Sequence, residues 1–223
     1  MARRVGSATA RSDSSISSSG IALALLPNVR DCVRSILHRL ERHMDVIDLL
    51  EQTFVHAHTV IGGVRADQHG ERTPCDEWTV RDLLEHMIGV VAGLGSAAAG
   101  RPPSPFELAA DPAGQFDEAA AAALAAWRTP GVLDRVIDAG PGPMPGRVLA
   151  GINLLDTATH TWDLATATGQ FAELPEPVAV AAMEASHMIV SPEIRSGRFG
   201  PELTVPDDAS TTRQLVAFLG RTA

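Results

Sequence analysis

Asp156 and His160 stand four residues apart in a segment with a helical pattern, so both project from one helix face. A carboxylate oxygen and an imidazole nitrogen at that spacing can bind one metal ion together. The same spacing equally serves a plain hydrogen-bonded pair across one helical turn. Asp163 continues the stripe by one further turn. His86 lies far upstream among Leu83, Leu84, Met87 and Val90. A lone histidine in such company is more often an interior side chain satisfied by one or two hydrogen bonds. The two signals reinforce each other only if their helices face one another, which spacing does not establish.

The remaining candidates are weaker. His56 and His58 are two apart on a helix and point to different faces. His69 falls in a polar connection, and His38 and His43 lie in a basic lead-in. His187 follows Glu184 by three residues, which suits a surface pair. Cys75 precedes a helix start, where thiolate is favoured. Between Pro74 and Trp78, however, a packed thiol is the simpler expectation. The sequence holds no Gly-rich phosphate loop, no G-x-S-x-G elbow and no H-E-x-x-H helix.

Several elements must position these residues. Val46, Leu49, Leu50, Phe54, Val60 and Ile61 recur at helical spacing, so residues 45–64 are expected to form a first helix. A polar connection follows over 66–77. Thr79 and Asp82 resemble a capping box, with Trp78 and Leu83 as its hydrophobic staple. They open a second helix that carries His86 and fades before Pro102. Residues 101–114 read as a Pro/Gly loop and 116–128 as a helix by propensity. A short extended segment is expected at 132–138, and the GPGPMPG tract at 140–146 as a turn that ends any element around it. The helix bearing Asp156 and His160 spans 147–168 and stops at Gly169. A further helix runs from Pro175–Pro177 to Val190. An extended piece, Glu202–Val205, precedes a last helix from Asp208 to Leu219. No internal repeat is present. The pattern predicts an all-α helix bundle with small extra helices and a short extended segment.

The chain has 223 residues, enough for a sizeable core, and its 45% hydrophobic and 20% charged residues fit a globular protein. Residues 1–43 stand apart. They carry seven arginines against Asp13, Asp31 and Glu41, a local charge of +4 that leaves −13 of the net −9 on the rest. Their Ser-rich run (GSATARSDSSISSSG) buries too little to order itself, so a basic, partly disordered extension is expected there, with the bundle over 44–221. A polar stretch separates Arg3 and Arg4 from the apolar IALALL, which argues against a secretory signal. Asn28–His43 could form a basic amphipathic helix, read more simply as a solvated lead-in. No apolar run reaches the ~20 residues that span a bilayer. An acidic body with no lysine argues against a nucleic-acid surface. Two cysteines, Cys32 and Cys75, suggest no disulfide framework, so a reducing cytoplasm is the expected compartment.

Two stretches are also recognisable together. TPCDEWTVRDLLEHMIG (73–89) and LLDTATHTWDLATATGQ (154–170) resemble the DinB-like superfamily. More narrowly, they are similar to the metal-binding domain of mycothiol-dependent maleylpyruvate isomerase and its relatives. The tail RFGPELTVPDDA…QLVAFLGR (198–221) resembles the ending of one uncharacterised subgroup. The resemblance covers about residues 44–221. It implies a four-helix bundle with a divalent metal, usually zinc, in a cleft between helices. Its implied ligands are His86 on the second helix and Asp156 with His160 on a later one. Asp156 stands where the isomerase has Glu, one methylene longer. The isomerase's separate C-terminal domain is larger than the tail here.

Three ligands leave a coordination position open for water or substrate. The leading functional expectation is a thiol-dependent transferase or isomerase that activates a low-molecular-weight thiol of mycothiol type against a small-molecule substrate. Asp163 is its candidate catalytic residue by orienting His160; a plain surface carboxylate is the alternative. A metal-assisted hydrolase would instead use Asp163 as general base. A non-enzymatic metal-binding bundle, assembled as a homodimer, is the third expectation.

Overall fold

A computed structural model describes residues 45–75, 78–102, 104–140, 142–196 and 198–222. The expected N-terminal extension, 1–43, with its amphipathic segment, lies outside them.

The first helix, α1 (Val46–Gly62), starts where the Asp45 side chain accepts a hydrogen bond from the Ile47 amide. It turns Leu50, Phe54, Ala57 and Ile61 inward. The second, α2 (Val80–Ala98), opens with the expected capping box: the Asp82 amide donates to Thr79 Oγ1 at 3.2 Å, and the Thr79 amide donates to Asp82 Oδ2 at 2.9 Å. Two of the four orphan amides at this helix start thus gain partners from within the motif.

α3 (Pro112–Trp127) begins four residues before the sequence-based start at 116. Asp111 caps it by accepting from the Gly114 amide, and Pro112 occupies the first turn, where its missing N–H costs nothing. The loop before it is shorter accordingly. α4 (Gly146–Ala167) carries Asp156, His160 and Asp163 and is the most enclosed helix described, burying residues on every side. Gly169, at φ 69°, ends it in the left-handed conformation while the Gln170 amide donates to Ala165 O. α5 (Glu176–Ile189) matches the sequence reading. A short α6 (Pro192–Arg195) was not anticipated. α7 (Thr211–Phe218) is capped by Ser210 and starts after Asp208, which sits in the preceding turn. The expected extended piece 202–205 forms no strand; the Leu203 amide instead donates to Ala217 O on α7.

One sequence reading is corrected between α3 and α4. The Pro/Gly tract does not end all structure: Pro143–Pro145 (β2) pairs antiparallel with Val136–Asp138 (β1), with Ile137 opposite Met144. Prolines are tolerated because each strand of a two-stranded ribbon has one edge that needs no donor. The expected extension at 132–138 becomes a strand only from Val136; Val132–Asp134 is a 3-10 turn.

Around the core, α1 and α2 each lie against α3 on one side and α4 on the other. These four helices close a ring, an all-α bundle of the kind the sequence led us to expect. α5 covers the outer side of α4, and α7 packs on α5. Gly95 lets α2 and α3 approach: a Cβ there would stand 2.8 Å from Ala123 Cα. Leu50, Leu83, Met87, Phe116, Trp127, Leu154 and Leu164 fill the interior. Among the described residues no helix is long and apolar enough to cross a membrane.

Candidate metal centre

The face of α2 that carries His86 meets the face of α4 that carries Asp156 and His160. His86 Nε2 lies 3.1 Å from Asp156 Oδ1, and His160 Nε2 lies 3.7 Å from the same oxygen. The three potential ligand atoms fall within 4.8 Å of one another. The inter-helix alignment that spacing left open is therefore present. Side-chain exposures of 29% for His86, 21% for Asp156 and 10% for His160 leave the cluster open to solvent on one side, with His160 the most enclosed.

The turn before α2 puts an aromatic wall on this opening. The Trp78 amide donates to Cys75 O, the Thr73 amide donates to Trp78 O, and the Cys75 amide donates to Thr73 Oγ1. Trp78 is thereby set with its ring centroid 4.5 Å from that of His86 and 5.7 Å from that of His160. The two imidazoles meet edge to face at 4.8 Å. Cys75 comes within 4.8 Å of donor atoms on His160 and Asp163, so its thiol borders the centre rather than packing remotely.

Asp163 is fully buried. That rules out a helix-surface carboxylate, the alternative considered from sequence. Asp163 Oδ2 lies 2.9 Å from His160 Nδ1. An ionised carboxylate only accepts, so His160 donates Nδ1–H, and Nε2 is the ring nitrogen turned towards Asp156. Arg221 Nε donates to both Asp163 oxygens, at 3.0 and 3.2 Å. Both oxygens are thus engaged away from the opening. Sequence reasoning passed over Arg221, although it ends the quoted tail motif.

Burial opposes ionisation of the Asp156 carboxyl. The charge of His160, the hydrogen bond and charge of His86, and Arg221 outweigh it and hold Asp156 below the usual carboxylate range. Asp156 Oδ2 is buried and accepts no hydrogen bond. A buried carboxylate oxygen without a donor is costly unless a cation meets it. The donor set, two imidazole nitrogens and a carboxylate oxygen, is one that zinc takes in catalytic sites. Ligand atoms on a tetrahedral zinc stand about 3.4 Å apart for bonds of about 2.1 Å, and the 3.1 and 3.7 Å separations here bracket that value. The residues present fit such an ion.

Among the described residues, the other histidines do not join this cluster. His58 Nδ1 lies 2.7 Å from Asp117 Oδ1 on α3. Burial lowers the His56 pKa. His187 stacks edge-on against Phe218 at 4.7 Å, in place of the expected pairing with Glu184.

The architecture and this cluster define a helical bundle with an open histidine–carboxylate centre. Residues 56–165 match the family model described as the mycothiol maleylpyruvate isomerase N-terminal domain. Two relatives from Mycobacterium tuberculosis, the uncharacterized protein Rv0738 of strain H37Rv and the uncharacterized protein MT0763 of strain CDC 1551 / Oshkosh, are each 40% identical over 168 residues. Each alignment covers 73% of this chain and 90% of the relative. The chain belongs to the mycothiol maleylpyruvate isomerase N-terminal domain family. The crystal structure of the mycothiol-dependent maleylpyruvate isomerase aligns at 15% identity and a TM-score of 0.44, covering 61% of this chain and 65% of that one.

Proposed function

We propose that the protein is a metal-dependent enzyme that joins or isomerises a small electrophilic substrate with the help of a low-molecular-weight thiol of mycothiol type. The observation that carries this reading is the convergence of His86 Nε2 and His160 Nε2 on Asp156 Oδ1, in a carboxylate whose other oxygen, Oδ2, is buried without a donor. Family membership supplies the thiol class. His86, Asp156 and His160 would hold one divalent ion, most simply zinc.

When bound, the ion favours thiolate over thiol, whose unperturbed pKa of about 8.5 leaves it mostly protonated near neutrality. The chain's own residues prepare the setting. Asp163 keeps the Nδ1 proton of His160 in place, so Nε2 stays available as a ligand. Asp156, held ionised, offers negative charge without needing to lose a proton on binding. Trp78 screens one side of the opening and supplies an apolar surface for a substrate. The hydrolase reading draws less support, because the carboxylate it needs as base has both oxygens engaged by His160 and Arg221.

The test is metal analysis together with a thiol-dependent assay. Purified wild-type protein is expected to carry one equivalent of metal, and His160→Ala none. Maleylpyruvate and a panel of other electrophiles would be incubated with and without mycothiol. Turnover that requires both thiol and metal supports the proposal. Full activity in a metal-free His160→Ala protein would sink it.

A further inference from the structure

We infer that Arg221, in the C-terminal tail, is a positioning residue for His160 and acts through Asp163. The inference concerns the orientation of the imidazole; its consequence for metal affinity rests on the proposed function above.

Arg221 is far from an ordinary solvated arginine. It is 8% exposed, and its partner Asp163 is fully buried. Its Nε straddles the two carboxylate oxygens, and its Nη1 donates to Leu219 O. Its guanidinium carbon lies 5.9 Å from the centre of the Phe199 ring. A charge enclosed to this degree is stable only with its partner in place. The pair fixes the tilt of the Asp163 carboxylate. That tilt in turn sets where the His160 Nδ1–H can donate, at 2.9 Å, and so where Nε2 points.

The tail is built to deliver this arginine. Arg195 donates from Nη1 to Gly200 O and to Phe218 O, both at 2.8 Å, and so ties α6 to the end of α7. Gly220 has φ 79°, and a Cβ on it would stand 2.5 Å from Gly200 Cα. Only glycine suits both the dihedral and the contact. The Arg221 amide then donates to Val216 O. The chain therefore turns sharply after α7 and sends residue 221 back towards α4. Residues beyond the family match at 56–165 thus reach the centre of that match.

The experiment follows the Nδ1–H proton of His160 by nitrogen-edited NMR in metal-free, full-length protein, and separately measures zinc affinity by chelator competition. Wild type is expected to show a protected Nδ1–H resonance. Arg221→Met should lose that protection and bind zinc about 10–100-fold more weakly, the usual effect of removing a group that orients a ligand. Asp163→Asn should weaken zinc similarly, and adding Arg221→Met to it should cause no further loss. If Arg221→Met does not fold, Arg221→Lys keeps the charge but loses the fork and should exchange Nδ1–H faster than wild type. Wild-type protection in either folded variant overturns the inference. So does an Arg221→Met effect on zinc that is undiminished in the Asp163→Asn background. Wild-type protein that binds no zinc would refute the proposed function, while the proton measurement still decides the role of Arg221.

Discussion

The two histidines of the centre are held in opposite ways. His160 sits on the most enclosed helix, is 10% exposed, and is backed by a buried carboxylate that is itself gripped by a buried arginine. His86 is 29% exposed, and it touches Asp156 and the Trp78 ring. One side of the site is preset and the other can adjust. A site that must accept ligands of differing bulk at its mouth needs the second property. A site that must keep an ion through such exchange needs the first.

The comparison can be broken most severely at the preset side. His160→Ala should abolish metal binding, seen as a fall from one equivalent to none by elemental analysis. Asp163→Ala should come next, because it strands the Arg221 charge in the interior; urea denaturation should register a loss of about 3–5 kcal/mol. A loss under 1 kcal/mol would show that solvent reaches Arg221 and that the two sides differ less than described. The adjustable side should respond more mildly. Trp78→Leu removes ring contacts with both imidazoles and should cost about 1 kcal/mol in the same measurement, with His86 resonances broadened more than those of His160. Equal broadening would mean that the tryptophan braces both histidines alike. Thr79→Ala removes the cap of the helix that carries His86 and should cost about 1 kcal/mol.

The cap adds a pH test of the adjustable side. The hydrogen bonds from Thr79 hold the Asp82 carboxyl below its ordinary value, against the slight opposing effect of burial. A depressed folded pKa means that the stabilisation is present above the ordinary carboxylate range and disappears as pH falls through the lower folded value. The α2 start should therefore loosen in acid, and Asp82→Asn should flatten that dependence when followed by amide exchange.

What the residues disclosed in advance followed from local rules. The Asp156–His160 pair was readable because positions four apart share a helix face, and the start of α2 because Thr79 and Asp82 are three apart. What lay hidden depended on contacts between distant segments. The spacing of His86 said nothing of which helix it would face; the family resemblance supplied that link. Arg221 looked like any basic residue after a helix, since its partner is 58 positions away. Residues 143–145 looked like a turn because prolines usually end strands, yet the ribbon leaves their nitrogens on an edge. The start of α3 was missed for a local reason: Asp111 and Pro112 are a readable cap and first turn, overshadowed by the Pro-rich loop before them.

The grip of Arg221 on Asp163 also imposes an order in time. A ribosome releases His86, Asp156 and His160 well before it releases residue 221. Domains fold as the chain emerges, N-terminal parts first. The helices that bring the three side chains together can therefore associate while the tail is still being made, with the His160 ring free to swivel. The nascent centre becomes rigid when the turn after α7 folds back, so a step that comes after the three side chains have met locks the imidazole.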